Sequence, residues 1–176
     1  MPDELGKSRT RKVDYSIGID IASSNLDPDY DELMSRAEGR YLCQSFHPQL
    51  FDKVLCSHLE LKTTAATDEA YTQLKIWASA GFEKQRRLRR LNIPTTTNAI
   101  LVPQPIWLWE KEKVELLIAA TDWKGERIWF MEHRTFLLDR SDKESLRRVV
   151  STMANIMKWG ATTYLDWFRA EVLGKR

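Results

Sequence analysis

Apolar and polar residues alternate along several stretches of the chain, and this period of two predicts β-strands. The first alternating stretch spans residues 13–21, and its polar face carries Asp14, Ser16, Gly18 and Asp20. A second stretch predicts a strand over about residues 54–63. Three more strands are predicted at about residues 98–109, 113–122 and 127–133. Because proline cannot donate to a ladder, Pro103 and Pro105 indicate that the third strand is bent or lies at an edge.

A period near 3.6 residues predicts three helices. A short helix is predicted in the sequence DYDELMSRA, at residues 29–37. The second helix begins at Thr67, which can cap it, and runs to about residue 92, before Pro94. The third begins at a capping box formed by Ser141 and Glu144. Its long apolar stripe consists of Leu146, Val149, Val150, Met153, Ile156, Met157, Gly160, Tyr164, Trp167 and Phe168.

Length and composition indicate one globular domain. The chain has 176 residues, of which 43% are hydrophobic and 30% charged. We expect residues 1–11 to form a polar N-terminal tail and residues 12–176 to form one α/β domain. In that domain a mixed β-sheet is flanked by helices, and the last helix is long. No apolar run approaches the roughly 20 residues that span a bilayer, and the start of the chain lacks the apolar stretch of a signal peptide. We therefore expect an intracellular protein without membrane contact, in the nucleus or the cytoplasm.

Charge and cysteine content exclude little. Lys and Arg number 27 against 25 Asp and Glu, so the formal charge of +2 does not by itself indicate binding to nucleic acid. The two cysteines, Cys43 and Cys56, have no partners at metal-ligand spacing, which argues against a zinc site. Any binding function must therefore depend on local arrangements of residues.

Charged residues share one face of the second strand. In an extended chain, Glu60 and Lys62 lie on one face while Leu59 and Leu61 lie on the other. Asp14 lies on the polar face of the first strand, next to small residues. If these consecutive strands are neighbours, the two acids and the lysine converge on one side of the sheet. Two carboxylates and an ammonium group are what metal-assisted phosphodiester cleavage requires, because carboxylate oxygens are ligands for Mg²⁺.

The second predicted helix adds Gln73 to this set. Gln73 shares the buried face of that helix with Ala70 and Trp77, so its amide needs a partner in the core or at a cleft. Because the helix directly follows the strand of Glu60 and Lys62, Gln73 can face the same cleft.

These residues also have ordinary structural interpretations. Glu60 and Lys62 fit the solvent face of a surface strand, and Asp14 fits a strand-edge acid paired with a basic neighbour. Gln73 fits a buried hydrogen bond to backbone. The basic sequence EKQRRLRR, residues 83–90, fits either a phosphate contact or a solvated helix face. His58 shares the face of Glu60 and Lys62, so a direct role and a structural role both stay open.

The order of these features resembles the PD-(D/E)XK nuclease superfamily, and more narrowly its nuclease-like domain in many fungal proteins. That core has an Asp on one strand, an E-x-K motif on the next and a Gln-bearing helix after it. The resemblance covers roughly residues 12–170. It rests on five stretches in family order: KVDYSIGI, HLELKTT, AYTQLKIWASAGFEKQRRL, LVPQPIW and MKWGATTYLDWF.

The resemblance implies a restriction-endonuclease-like fold and a role for each matching residue. Asp14 and Glu60 would be ligands of a divalent metal, Mg²⁺ or Mn²⁺, with the carbonyl of Leu61 as a further ligand. Lys62 would position or activate the water, and Gln73 would support the site or contact the substrate backbone. The implied activity is metal-dependent phosphodiester hydrolysis of nucleic acid, with DNA as the expected substrate.

One departure from the family pattern leaves an alternative open. The family has a helix before the Asp strand that contributes another acidic residue, whereas here only Asp3 and Glu4 are acidic before Asp14. Either that helix is missing from this sequence or catalysis is impaired. In the second case the chain is a nuclease fold that has lost catalysis and serves as a binding or interaction module.

Overall fold

The computed structural model describes residues 14–21, 27–36, 48–50, 53–62, 67–92, 101–122, 127–139 and 141–174. The predicted polar tail, residues 1–11, lies outside the described residues. In the described residues, five strands and three longer α-helices form the domain, together with a 3₁₀ turn at Pro48–Leu50. In chain order they are β1 Tyr15–Asp20, α1 Asp27–Arg36, β2 Lys53–Lys62, α2 Thr67–Asn92, β3 Gln104–Glu110, β4 Lys113–Thr121, β5 Ile128–Leu137 and α3 Lys143–Trp159.

The five strands form one mixed sheet in the order β1-β2-β3-β4-β5. Only β2 and β3 are parallel, and α2 is the connection between them, as parallel neighbours require. The other neighbours are antiparallel. The predicted α/β architecture, a mixed sheet flanked by helices with a long C-terminal helix, is confirmed. It is consistent with a restriction-endonuclease-like fold.

The third strand does not lie at an edge, so that alternative is wrong. β3 is the central strand of the sheet and pairs on both sides. Proline is tolerated there because Pro103 precedes the strand and Pro105 precedes the residues that pair with β2, which begin at Ile106.

Helices cover both faces of the sheet. α2 packs its small and apolar residues on one face, in a core of Ala70, Leu74, Ala78, Phe82, Leu101, Ile106, Leu108, Leu117 and Ala119. α3 covers the other face, where the buried residues are Trp107, Val114, Leu116, Phe136 and Val149. A third core joins α1, the end of α2 and the C-terminal residues to β1 and β2. Within the described residues, no helix combines the length and apolarity needed to cross a bilayer.

The C-terminal helix differs from its prediction in two details. Asp142 caps α3 by accepting a hydrogen bond from the Glu144 N–H, so the predicted Ser141–Glu144 capping box is wrong. Ser141 instead donates to the Asp139 carboxylate, which leaves the Asp142 side chain to cap the first turn. The buried stripe is also narrower than the apolar stripe, because three of its members are exposed: Leu146, Val150 and Met157.

Beyond α3 the chain stays helical to Val172. Two π-helical segments, Gly160–Tyr164 and Phe168–Val172, flank the short α-helical segment Leu165–Trp167. The first of these segments packs on β2: Tyr164 donates a hydrogen bond to the Leu55 carbonyl at 3.0 Å. Residues 143–172 therefore form one long helical element that anchors the strand carrying Glu60.

Candidate metal and catalytic site

The predicted E-x-K motif lies at the C-terminal end of β2. Because side chains alternate along a strand, Glu60 and Lys62 project on the face of the sheet that α2 covers. Glu60 is buried, with 2% of its surface exposed, and its Oε1 lies 2.8 Å from Nζ of Lys62. Lys62 is the more exposed of the two. The interpretation of both residues as a solvent face is therefore wrong for Glu60, because this end of β2 lies beneath α2.

Asp14 lies beside these residues, as the sequence predicted. It directly precedes β1, and β1 runs antiparallel to β2 with Tyr15 opposite Leu59. Asp14 therefore extends past the end of the β1–β2 ladder, where its Oδ2 accepts a hydrogen bond of 2.7 Å from the Leu61 N–H. The N–H and C=O of one strand residue point to the same side of the strand. The Leu61 carbonyl consequently points toward the side on which Asp14 lies.

Gln73 joins the cluster from α2. Nζ of Lys62 donates to Oε1 of Gln73 at 3.4 Å, and Nε2 of Gln73 donates to Oε1 of Glu69 at 3.3 Å. Gln73 thus faces the cleft between α2 and β2. Among the described residues, its hydrogen bonds go to side chains, Lys62 and Glu69, and not to backbone as the alternative interpretation expected. Asp14, Glu60, Lys62 and Gln73 are brought together in one place.

Glu69 is a residue of this cluster that the sequence analysis missed. Its spacing of four residues from Gln73 was the available signal, since side chains at i and i+4 meet on a helix. The structure adds that its charge is close enough to Lys62 to contribute to raising the pKa of that lysine, after the larger effect of Glu60.

Burial and charge act in opposite directions on the central pair. Burial raises the pKa of Glu60, the Lys62 hydrogen bond offsets part of that effect, and the Asp14 charge raises the pKa further. The hydrogen bond with Glu60 raises the pKa of Lys62. Lys62 is therefore a firmly held cation, whereas Glu60 is an anion that the protein solvates poorly.

One carboxylate oxygen of Glu60 lacks a hydrogen-bond partner among the residues that the structure describes. Oε2 of Glu60 is buried and accepts no hydrogen bond from any described residue. A buried carboxylate oxygen without a partner costs about 1–3 kcal/mol or more, so a cation or a proton beside it would offset that cost. The donors present, two carboxylates and a backbone carbonyl, are hard oxygen ligands of the kind that Mg²⁺ takes.

The fit to Mg²⁺ depends on how few protein ligands that ion needs. Among the residues that the structure describes, no group of three or more His, Cys, Asp or Glu side chains is arranged to hold a metal. Mg²⁺ is commonly bound through one or two carboxylates, with water and phosphate oxygens completing its shell. Asp14 and Glu60 supply two carboxylates at this end of β2, one exposed and one buried.

A second Lys–Glu pair on the same face provides an internal comparison. Glu60 lies opposite Leu108 and Leu108 lies opposite Glu115, so both glutamates lie in one row across the sheet. Glu115 is also buried, and its Oε1 lies 2.5 Å from Nζ of Lys113. Its other oxygen accepts a hydrogen bond of 2.5 Å from the Tyr71 hydroxyl. Glu115 is thus satisfied by protein groups on both oxygens, whereas Glu60 is not.

His58 has a structural position and does not enter the cluster. It is buried two residues before Glu60, and its Nδ1 accepts a hydrogen bond of 2.8 Å from Nε1 of Trp77. Burial lowers the pKa of His58 to about 3, so the ring is neutral at physiological pH. A direct catalytic role for His58 is not supported by this position.

The basic run of α2 is largely occupied by acids of the same domain. Arg86 and Arg87 pair with Glu83, and Arg89 pairs with Glu171. These pairs favour the interpretation of residues 83–90 as a structural and solvated helix face over a dedicated phosphate contact.

Comparison with known proteins identifies a family. A family model described as the PD-(D/E)XK nuclease superfamily matches residues 1–165. No curated protein and no solved structure matches the chain. The matched residues include the five predicted site residues, Asp14, Glu60, Leu61, Lys62 and Gln73.

Proposed function

Because this chain belongs to the PD-(D/E)XK nuclease superfamily, we propose that it hydrolyses phosphodiester bonds of nucleic acid at the cluster of Asp14, Glu60, Lys62 and Gln73. The proposed substrate is DNA. One observation carries the proposal: a buried carboxylate oxygen, Oε2 of Glu60, has no partner among the described residues, although a lysine and a second acid lie beside it.

The proposed cofactor is Mg²⁺ or Mn²⁺, since nucleases of this superfamily generally use divalent metals. Asp14, Glu60 and the Leu61 carbonyl would hold the ion. When bound, such an ion supplies a Lewis acid and lowers the pKa of water. Asp14 also has a role without the ion, because its bond to the Leu61 N–H fixes the end of β2 beside it.

Lys62 would supply fixed positive charge to the reaction. Its ammonium group is held between Oε1 of Glu60 and Oε1 of Gln73, at 2.8 and 3.4 Å. A lysine has three donor hydrogens, so two of them hold the side chain in place and the third is available to a water or a phosphate oxygen. A donor fixed before the reaction stabilises the charge that develops on the phosphate without reorganising.

The two Lys–Glu pairs give the test of this proposal a matched control. Glu60→Gln and Lys62→Ala should each reduce Mg²⁺-dependent DNA cleavage by about 10²-fold or more. Glu115→Gln and Lys113→Ala change the same residue types in the same row of the sheet and should leave cleavage within about threefold of wild type. Cleavage that survives EDTA, or that Glu60→Gln and Glu115→Gln reduce equally, would contradict the proposal.

Calorimetry separates the proposal from its alternative, a binding or interaction module. Titration with Mg²⁺ should release heat in the wild type and in Glu115→Gln but not in Glu60→Gln. DNA and RNA of the same sequence should then be tested as substrates and as ligands. A chain that binds nucleic acid without cleaving it, with no heat that depends on Glu60, would establish the binding module instead.

A further inference from the structure

A polar cluster lies around the buried His58, one layer beneath the proposed site. Nδ1 of His58 lies 2.8 Å from Nε1 of Trp77 and 3.2 Å from Oγ of Ser16. An indole N–H can only donate, so Nδ1 is the acceptor and the ring proton is on Nε2. The Ser16 hydroxyl can therefore approach Nδ1 only as a second donor. We call these three residues the His58 cluster.

The His58 cluster connects the same three elements that carry the site. Ser16 is on β1, His58 on β2 and Trp77 on α2. Each member is separated from a site residue by two residues along a strand or by four residues along the helix. The three pairs are Asp14 and Ser16, His58 and Glu60, and Gln73 and Trp77.

These separations place the cluster and the site on the same face. A separation of two residues keeps side chains on one face of a strand, and a separation of four keeps them on one face of a helix. The contacts agree, because His58 packs edge-on against the Trp77 ring with centroids 5.6 Å apart. The distance between β1, β2 and α2 at the site is therefore set one layer below it.

We propose that Ser16, His58 and Trp77 are positioning residues, whose shared hydrogen bonds hold the three site-bearing elements at the spacing that the site needs. This inference rests on the proposed function for its catalytic consequence only. Within the site, the contact between α2 and β2 is the bond from Lys62 to Gln73, which is long at 3.4 Å, and Asp14 is exposed. The rigid constraint comes from His58, which is 1% exposed.

Ser16→Ala and Trp77→Phe each remove one donor from the cluster while they keep most of the packing volume. Misplacing a catalytic group by a fraction of a bond length reduces rate more than substrate binding. We expect each variant to lower kcat for DNA cleavage by about tenfold with KM unchanged, and to weaken Mg²⁺ binding by about tenfold, as loss of outer-shell partners does.

Trp107→Phe is the matched control for Trp77→Phe. Trp107 is fully buried in the core on the opposite face, and its Nε1 has no hydrogen-bond partner among the described residues. This change therefore removes a buried indole without removing a hydrogen bond. It should lower the thermal midpoint at least as much as Trp77→Phe does, yet leave kcat and Mg²⁺ binding unchanged.

A readout without activity keeps the inference separate from the nuclease proposal. Exchange of the Leu61 amide hydrogen reports the bond from Leu61 to Asp14 directly. Protection at Leu61 should fall about tenfold in Ser16→Ala and Trp77→Phe but not in Trp107→Phe. Unchanged protection at Leu61 in both cluster variants would overturn the inference, whether or not the protein cleaves DNA. Changed protection in a protein that cleaves nothing would support the positioning role and overturn only the nuclease proposal.

Discussion

Glu60 and Glu115 show how one residue type acquires two roles on the same face of a sheet. Both are buried beside a lysine, but within the described part of the chain Glu115 has partners on both oxygens and Glu60 on one. Buried carboxylates without partners are costly, and a protein retains them where a ligand uses them. This difference of one hydrogen bond separates a structural ion pair from a candidate metal ligand.

The raised pKa of Glu60 leads to a stability prediction with a defined sign. The folded protein holds the Glu60 proton more tightly than the unfolded chain does, because burial disfavours the anion. The free energy of unfolding of the metal-free protein should therefore fall as pH rises from about 4.5, the ordinary value, through the raised pKa.

Glu60→Gln isolates this contribution, since glutamine is the uncharged isostere. Below pH 4 the variant and the wild type should have similar stability, and at pH 7 the variant should be the more stable in urea unfolding without metal. Glu115→Gln should instead lose about 1–3 kcal/mol at pH 7, because it disrupts a fully bonded buried carboxylate. Equal losses in both variants at pH 7 would contradict the distinction between the two glutamates.

Glu69 gives a second prediction at the scale of single residues. A carboxylate only accepts hydrogen bonds, so Glu69 holds the Gln73 amide with its nitrogen toward α2 and its oxygen toward Lys62. Glu69→Ala lets that amide rotate and should lower kcat by about threefold to tenfold. Asp68→Ala is the control, since it removes an exposed acid from the same helical turn. An equal effect of both changes would mean that only charge at the helix start matters.

At the scale of elements, the long C-terminal helix holds β2 through a close contact. A Cβ added at Gly160 would lie 2.7 Å from Sγ of Cys56, so only glycine lets the π-helical segment approach the strand. Gly160→Ala should destabilise the protein by about 1–3 kcal/mol through overpacking. Thermal unfolding would measure the loss, with Thr163→Ala on the exposed side of the same segment as the control.

The cause of that loss can be tested by removing the other partner. Cys56→Ala removes Sγ, and the added methyl group would then face Cys56 Cβ at 3.6 Å, an ordinary contact. The double variant should therefore lose less stability than the sum of the two single variants. Strict additivity would show that the cost of Gly160→Ala arises elsewhere in the helix.

The elements were predictable from sequence because each has a strong local pattern. The first, second and fourth strands and the helix at residues 67–92 lie within a few residues of their predicted bounds. The third strand begins at Gln104, about six residues after its predicted start, and the fifth ends at Leu137, about four residues beyond its predicted end. The local patterns did not determine which contacts form between residues once the elements pack together. Whether Ser141 or Asp142 caps α3 depends on which side chain Asp139 engages, and whether Leu146 is buried depends on how α3 lies on the sheet.

The part of the site that could be predicted from sequence is the part that depends on alternation along a strand and on the pairing of consecutive strands. Alternation placed Glu60 and Lys62 on one face, and neighbouring strands brought Asp14 to them. The roles of Glu115 and His58 were not predictable, because each depends on a partner distant in sequence: Tyr71 donates to Glu115 across 44 residues, and Ser16 reaches His58 across 42.

At the scale of the whole molecule, the site joins elements from distant parts of the chain, so a bound cation should stabilise the entire domain. Asp14 and Glu60 are 46 residues apart in sequence and are brought together only by folding. The unfolded chain therefore cannot offer the same ligands. A ligand that binds only the folded state stabilises it by about 2.7 kcal/mol at 100 times its dissociation constant.

For a domain of this size, that stabilisation corresponds to a thermal midpoint higher by about 6–10 °C. Saturating Mg²⁺ or Mn²⁺ should raise the midpoint of the wild type and of Glu115→Gln by this amount, and EDTA should reverse the increase. Glu60→Gln should gain nothing, although without metal at pH 7 it unfolds at a higher temperature than the wild type. The two glutamine variants would then change stability in opposite directions, and of the two Glu115→Gln alone would respond to the cation. A cation effect that is equal in all three proteins would mean that the ion binds elsewhere on the molecule. Oε2 of Glu60 would then destabilise the fold without serving as a ligand.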